Sequence, residues 1–295
     1  MCRGLWDLPA AREVLARLTP SLGDDLVGLT TAAPDERLVA TGHAQRAIHA
    51  HHLGHWFAFL AGNPGARLEG AIGHSVGVVA ALVAAEAISV EDSGVFVAER
   101  ARAFSDVCAG LAEPQGLAAV STEDLEDVVE ALAGGEFPGV TLALENSAGK
   151  GVIGGRVADL EAFAGACRRE GWPVRVTPLA VEGPYHTEAF AACGPRLERV
   201  LRRIEIREPR VPVFMGTSGA AETDPARIRE LLARQPFTPE RHLSAVRAAY
   251  AHGCRTFVEA ASAPQPISWI PDQLTDEKGE LLPDVRTVAV TTEEL

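Results

Sequence analysis

The sequence predicts an α/β protein in which a small ferredoxin-like unit interrupts a larger α/β domain. Two observations carry this prediction. A short apolar strand at residues 71–73 leads through a serine-containing turn into an apolar helix at residues 78–83. Between residues 115 and 180, apolar runs and helical patterns follow the order β-α-β-β-α-β, which is the ferredoxin-like arrangement.

Hydrophobic periodicity predicts the elements in order along the chain. In the large part, it predicts helices at residues 8–18, 43–61, 91–112, 194–205 and 226–234, a strand at 211–215, and a helix end with a strand at 250–258. In the insert, it predicts strands at 117–121, 140–144, 152–154 and 174–179, and helices at 125–133 and 158–169. We therefore expect a large subdomain at residues 1–114 and 181–275, a small one at 115–180, and a loosely held tail at 276–295.

Composition limits the possible functions. The 295 residues are 47% hydrophobic, which is enough for a large core. A net charge of −13 argues against sequence-independent binding to nucleic acid or to an anionic membrane, because both need a basic surface. The sequence has no apolar run near the roughly 20 residues of a membrane span, and no signal peptide pattern at its start. Widely spaced cysteines favour a reducing cytoplasm over a disulfide framework or a zinc site: Cys2, Cys108, Cys167, Cys193 and Cys254.

The serine at position 75 is a candidate nucleophile. It lies in a G-x-S-x-G pattern between Gly73 and Gly77, which leave room for a tight strand-to-helix turn. Such a turn places the Ser75 hydroxyl near a helix N-terminus, where the Val76 N–H would be one donor to an oxyanion. The alternative is a chance match in a chain rich in Gly and Ala.

A nucleophilic serine needs a base, and the histidines are the candidates. His186 follows a strand, and the Gly183-Pro184 break before it favours a position in a cleft, although it is also compatible with an ordinary loop histidine. Several other histidines lie in one predicted helix, where three of them share a face: His49, His52 and His55. We interpret this face as a polar helix surface and expect no metal, because no nearby Asp, Glu or Cys completes a ligand set.

These residues resemble the malonyl-CoA:acyl-carrier-protein acyltransferases of fatty-acid and polyketide synthesis. Residues 73–77 match the family's G-H-S-x-G nucleophile turn, His74 included, and His186 matches its catalytic histidine about 110 residues later. Arg100, 25 residues after the serine, matches the arginine that binds the malonyl carboxylate. Asn146 opens a stretch similar to the family's N-S-P-G-x-x-V-I-x-G, and a T-x-x-x-Q pattern recurs at Thr41 and Gln45. The resemblance covers residues 5–270, approximately.

The resemblance implies an α/β-hydrolase-like core with a ferredoxin-like subdomain, and a reaction in two half-reactions through an acyl-serine. His186 would take the Ser75 proton and return it to the leaving CoA thiolate. A backbone carbonyl orients this histidine in the family, and we expect it from residues 213–216. The partners would be malonyl-CoA, or a related acyl-CoA, and a phosphopantetheinylated acyl carrier protein; no permanent cofactor is implied. Carrier proteins are usually acidic around the phosphopantetheine arm, so four arginines are candidate contacts, although each also fits an ordinary solvated helix face: Arg168, Arg169, Arg202 and Arg203.

The residue before the catalytic histidine borders the acyl pocket in the family. Here it is Tyr185, and its ring predicts a preference for malonyl over methylmalonyl units of about 10- to 200-fold. Its hydroxyl leaves open a hydrogen bond to a polar substituent on the α-carbon instead.

Two departures from the family pattern leave other functions open. The glycine-rich loop that supplies a second oxyanion donor has no counterpart at residues 1–5, which fits either a misassigned or truncated start or an incomplete oxyanion hole. Residues 259–266 replace a G-P-G segment. Losing one oxyanion donor typically costs about 100- to 1000-fold in rate. The alternatives are an acyl hydrolase of the same fold, which Arg100 argues against, and a non-catalytic carrier-binding module, which intact Ser75 and His186 argue against.

Overall fold

A computed structural model describes residues 4–23, 25–33, 35–261, 264–276 and 278–295. Its strands form a three-stranded sheet, a five-stranded sheet and a two-stranded sheet. Met1, Cys2 and Arg3, discussed above for the start of the chain, lie outside the described residues. So do Ser262 and Ala263 of the segment at 259–266.

Helices dominate the first part of the large subdomain. They are α1 (Pro9–Leu22), α2 (Leu26–Thr31), α3 (Asp35–Val39) and α4 (Thr41–Gly62). Helix α1 begins with Pro9 in its first turn, a position where the missing N–H costs nothing, and its apolar stripe is buried at Val14, Leu18 and Leu22. The predicted helices at 8–18 and 43–61 are confirmed and extend further, whereas α2 and α3 were not predicted.

The nucleophile segment forms the edge of the three-stranded sheet. Strand β1 (Ala71–Gly73) precedes helix α5 (Gly77–Ala84), and α6 (Val90–Ala109) follows, with Ser89 Oγ accepting the Asp92 N–H as its N-cap at 3.0 Å. Strand β1 pairs in parallel with β6 (Val213–Met215), which pairs antiparallel with β7 (Ala220–Glu222). The parallel pairing with a crossover between them is the α/β pattern that the sequence predicts.

The insert has the predicted β-α-β-β-α-β order: β2 (Gln115–Ser121), α7 (Leu125–Ala133), β3 (Val140–Ser147), β4 (Lys150–Arg156), α8 (Val157–Glu170) and β5 (Arg175–Pro178). The spatial order β5-β2-β4-β3 is antiparallel throughout. A fifth strand, β8 (Glu240–Arg241), joins from the large part by pairing in parallel with β3. This unpredicted strand ties the two parts together beside the nucleophile turn.

The remaining elements differ in part from the predictions. They are α9 (Gly194–Leu201), α10 (Pro225–Arg234), α11 (His242–His252), β9 (Thr256–Ala260), α12 (Ile270–Gln273) and β10 (Arg286–Val290). Helix α9 ends four residues before the predicted 205. The expectation of a loosely held tail is wrong for residues 286–290, because β10 pairs in parallel with β9 along five residues. Nearby Val285 is buried against Val246 and Ile270, which explains why this segment is ordered.

Within the part of the chain that the structure describes, no helix combines the length and the apolar character that crossing a membrane requires.

Candidate active site

The turn between β1 and α5 holds Ser75 in an unusual backbone conformation. Its φ is 50°, in the left-handed region that residues other than glycine rarely adopt and that often marks functional sites. A Cβ on Gly73 would overlap the backbone of Val78, so this position requires glycine. At Gly77, a Cβ would make an ordinary 3.7 Å contact with His52. The prediction that the tight turn needs glycine therefore holds for Gly73, whereas Gly77 has room for a Cβ.

Ser75 and His186 meet at the end of this turn. Ser75 Oγ lies 2.8 Å from His186 Nε2, across 111 residues of sequence. The other ring nitrogen, Nδ1, donates to the Gln235 carbonyl oxygen at 3.0 Å. Because a carbonyl only accepts, this bond places the ring proton on Nδ1 and leaves Nε2 free to accept the Ser75 proton. The expected carbonyl at residues 213–216 is wrong: Gln235, in the short 3-10 helix Gln235–Phe237, supplies it.

The imidazole of His186 is neutral in this environment. Burial lowers its pKa to about 3, and the electrostatic interactions with Arg100 and His74 act in the same direction. The hydrogen bond to the Gln235 carbonyl opposes this shift but does not cancel it. The histidine is therefore unprotonated at neutral pH, which is the state that a general base requires.

Arg100 is a buried cation with neutral hydrogen-bond partners. It is 1% exposed, its Nη2 donates to Gln235 Oε1 at 3.1 Å, and its Nη1 donates to Gln45 Oε1. Its Cζ lies 4.2 Å from the centroid of the Phe104 ring, and its Nε is buried without a partner. Burial lowers its pKa to about 10, so it stays charged at neutral pH. Among the described residues it forms no ion pair within 4 Å, although the buried carboxyl group of Glu240 favours its charge from a greater distance. A buried cation whose hydrogen bonds are incomplete favours an anionic ligand.

Gln235 connects the three candidate residues. Its carbonyl accepts from His186, its Oε1 accepts from Arg100, and its Nε2 donates to the Ser75 carbonyl oxygen at 2.9 Å. Sequence reasoning missed Gln235 because it belongs to no motif that we identified. Its backbone and side chain fix the dyad and the cation relative to one another.

Glu240 is a second residue that the sequence analysis missed. It lies in β8, is buried, and its Oε1 accepts the Ser75 backbone N–H at 2.8 Å. Its Oε2 is 3.7 Å from His186 Nε2. Burial raises the pKa of this carboxyl group, while His74, the Ser75 N–H and Arg100 lower it. The site therefore contains one buried carboxyl group and one buried guanidinium group around the Ser75–His186 pair.

The Val76 N–H is available for an oxyanion. It lies at the N-terminus of α5, next to Ser75, and no acceptor within the described residues takes its hydrogen bond. This position agrees with the predicted role as one oxyanion donor, because a free N–H at a helix start favours negative charge.

The other predicted residues surround this centre. His74 Nε2 lies 3.0 Å from Asn146 Oδ1, which links the nucleophile turn to strand β3 of the insert. Gln45, in helix α4, donates to Thr41 Oγ1 at 2.8 Å, so the hydrogen bonds around Arg100 extend to the first residue of this helix. The Tyr185 ring packs 5.3 Å from that of Phe104, and burial raises its pKa to about 12, an effect that Thr41 partly opposes.

Two of the three histidines on the predicted face of α4 are buried, so the expected polar surface is wrong for His49 and His55. His49 and His55 are fully buried. His49 Nε2 lies 2.9 Å from Ser93 Oγ, and His55 Nε2 lies 2.9 Å from Thr292 Oγ1. Burial lowers the pKa of His49 to about 3 and that of His52 to about 4. In the described part of the chain, no group of three or more His, Cys, Asp or Glu side chains is arranged to hold a metal ion.

Comparison with known proteins gives a consistent result. The chain is 30% identical over 253 residues to a malonyl CoA-acyl carrier protein transacylase of Bacillus subtilis, covering 85% of this chain and 78% of that protein. The corresponding enzyme of Haemophilus influenzae is 30% identical over 239 residues, covering 80% and 75%. An acyl carrier protein S-malonyltransferase of known structure from Vibrio cholerae superposes with a TM-score of 0.86 at 25% identity, covering 99% and 92%.

These matches confirm the predicted α/β-hydrolase-like core with a ferredoxin-like subdomain. The family profile described as acyl transferase domain matches residues 1–286, nearly the whole chain. The protein therefore belongs to the acyl transferase domain family.

Proposed function

We propose that the protein transfers a malonyl-type acyl group from CoA to the phosphopantetheine thiol of an acyl carrier protein, in fatty-acid or polyketide synthesis. The observation that carries the proposal is the connection of a Ser75–His186 pair to a buried, unpaired Arg100 through one residue, Gln235. A nucleophile and a carboxylate-binding cation held in one rigid unit fit an acyl group that carries its own carboxylate.

In the first half-reaction, Ser75 Oγ attacks the thioester carbonyl carbon while its proton moves to His186 Nε2. The C–S bond then breaks, the proton passes to the CoA sulfur, and malonyl-Ser75 remains. The Val76 N–H stabilises the oxyanion that forms on the carbonyl oxygen.

Arg100 selects the acyl group. A guanidinium binds a carboxylate through two parallel hydrogen bonds, and its charge persists when it is buried. A malonyl carboxylate would replace the neutral partners Gln45 and Gln235, or join them, and form the direct ion pair that no described residue forms with Arg100. Tyr185, whose ring packs against those of Phe104 and Phe190, limits the volume at the α-carbon.

In the second half-reaction, the carrier thiol attacks malonyl-Ser75 and His186 works in the reverse direction. The names of the relatives in Bacillus subtilis and Haemophilus influenzae support an acyl carrier protein as the acceptor. The four described cysteines are free, which supports a reducing compartment such as the cytoplasm as the place of action.

Intact-mass measurement after incubation with malonyl-CoA tests this proposal. We expect one added malonyl group on the wild-type protein and none on Ser75→Ala, with the label mapped to Ser75 by peptide sequencing. Ser121→Ala, at an exposed strand end of the insert, serves as the matched control and is expected to label normally.

Addition of a holo carrier protein should then remove the malonyl group from the enzyme and add it to the carrier. A label on a cysteine contradicts the mechanism. Rapid loss of the label to water, without transfer, identifies a hydrolase instead.

A further inference from the structure

Glu240 carries a buried carboxyl group that the acyl-transfer steps described above do not use. Its side chain is 1% exposed, and its residue pairs with Leu144 across strands β8 and β3. It fills the space beside Gly216, where a Cβ would overlap the Glu240 side chain. The carboxyl group is therefore held in a fixed position by the packing of two strands.

The two oxygens of this carboxyl group face the two members of the catalytic pair. Oε1 accepts the backbone N–H of Ser75 at 2.8 Å. Oε2 is buried, has no hydrogen-bond partner among the described residues, and lies 3.7 Å from His186 Nε2. Nε2 is the nitrogen that receives the Ser75 proton. The other charged or titratable groups that face Glu240 are His74 and Arg100.

Proton transfer from Ser75 creates a positive imidazolium in a buried site, and burial opposes that charge. The Gln235 carbonyl on Nδ1 is a neutral dipole and offsets only part of this cost. A carboxylate within 4 Å favours the protonated imidazole much more strongly, because the interaction of two charges is large in a site of low dielectric constant. Arg100 and the Ser75 N–H in turn favour the ionised form of Glu240.

We propose that Glu240 is a positioning residue for this reaction: its carboxylate stabilises the imidazolium form of His186 and anchors the Ser75 backbone during acyl transfer. This inference rests on the proposed function. The proton moves from Ser75 Oγ to His186 Nε2 and then to the CoA sulfur, and Glu240 keeps its charge without exchanging a proton.

The substitution Glu240→Gln tests this role, because it keeps the shape and the acceptor for the Ser75 N–H but removes the charge. We expect kcat for malonyl transfer to fall about tenfold or more, while KM for malonyl-CoA changes by less than about threefold. Glu240→Asp keeps the charge and should retain more of kcat than Glu240→Gln. As the matched control, Glu259→Gln changes another carboxyl group that accepts a backbone N–H, that of Ile267 at 2.8 Å, and should keep the wild-type kcat.

The pH profile supplies a readout that a purely structural role would not change. Because burial raises the pKa of Glu240, the carboxylate is lost as pH falls through a higher value than for an ordinary glutamate. The wild-type kcat should decline in that range, and the decline should be absent in Glu240→Gln. The difference between the two pH profiles distinguishes the effect of the Glu240 charge from that of the side chain's shape.

If Glu240→Gln keeps the wild-type kcat and pH profile, Glu240 does not have the proposed role. The same conclusion follows if kcat is lower in Glu240→Asp than in Glu240→Gln. These results leave malonyl labelling of Ser75 intact in the wild type, so they contradict this inference alone. A wild-type protein that does not label contradicts the proposed function as well.

Discussion

The Arg100 guanidinium lies in the protein interior, where its hydrogen-bond partners are the neutral amide groups of Gln45 and Gln235 and its ring contact is Phe104. A buried cation that forms no ion pair destabilises the fold, unless binding of an anionic ligand offsets this cost. Its unpartnered Nε shows that the pocket does not satisfy the guanidinium fully. A substrate carboxylate would complete this set of interactions, so Arg100 should determine which acyl groups are accepted.

Arg100→Ala should therefore separate malonyl from acetyl transfer. We expect malonyl transfer to fall by about 100-fold, the equivalent of one or two strong charge-assisted hydrogen bonds, while acetyl transfer is retained or rises. Steady-state kinetics with malonyl-CoA and acetyl-CoA measure the ratio. Arg196→Ala is the matched control, because Arg196 is a partly exposed arginine that already forms ion pairs with Glu99 and Asp106. An equal loss for both substrates means that Arg100 is structural.

Single residues differ in how far the sequence alone identifies them. Ser75, His186 and Arg100 lie in short local patterns, and their positions in the structure fit the interpretation of those patterns. Gln235 and Glu240 contact Ser75 from 160 and 165 residues away. Such contacts depend on how two distant segments of the large subdomain pack against each other, and no local periodicity reports that packing. Sequence reasoning therefore identified the candidate reacting groups and missed the residues that contact them.

The nucleophile turn shows how an element's geometry depends on one glycine. A Cβ at Gly73 would overlap the Val78 backbone, whereas one at Gly77 would make only a 3.7 Å contact with His52. The turn must also keep Ser75 at a φ of 50°, which is already strained. Any movement of the backbone at Gly73 would shift Ser75 Oγ away from His186.

We thus expect Gly73→Ala to abolish malonyl labelling of Ser75 and to lower the melting temperature. Gly77→Ala, the paired control, should label at close to the wild-type rate, because alanine also suits the first turn of a helix. Mass spectrometry and thermal unfolding followed by circular dichroism measure the two effects. Similar behaviour of the two variants contradicts the argument that the close approach is confined to Gly73.

At the level of elements, long periodic segments were predictable and short ones were not. Helix α7 has the predicted bounds, because its apolar positions follow a strong helical period. Strand β8 has two residues, too few for any period, and exists only because Leu144 and Glu145 offer a free edge. Strand β10 lies in a tail rich in Asp, Glu and Thr, and its order comes from pairing with β9. In both cases a tertiary contact decides the structure.

The molecule as a whole carries a net charge of −13, so an acidic carrier protein must meet it at a locally basic surface. Arg168 and Arg169 are exposed in the last turn of α8 and form no ion pair among the described residues. Arg203 is also exposed after α9, whereas its neighbour Arg202 lies 3.9 Å from Glu198. Arginines that form no ion pair keep their charge available to a partner, which favours the α8 pair.

Charge reversal of the α8 pair, Arg168→Glu with Arg169→Glu, should raise KM for the carrier protein by about tenfold and leave malonyl labelling of Ser75 unchanged. The reason is that exposed charges act mainly on encounter with the partner, and the acyl-CoA half-reaction does not involve the carrier.

The same change at Arg202 and Arg203 should have a smaller effect, because Arg202 is already paired. Arg207→Glu, at an exposed arginine paired with Glu205, is the control and should leave KM for the carrier near its wild-type value. Added salt should raise the wild-type KM for the carrier and reduce the difference between the variants, since screening weakens contacts between exposed charges. A loss in both half-reactions would indicate a folding defect. An unchanged KM for the carrier in the α8 variant would mean that the carrier binds to another face of the molecule.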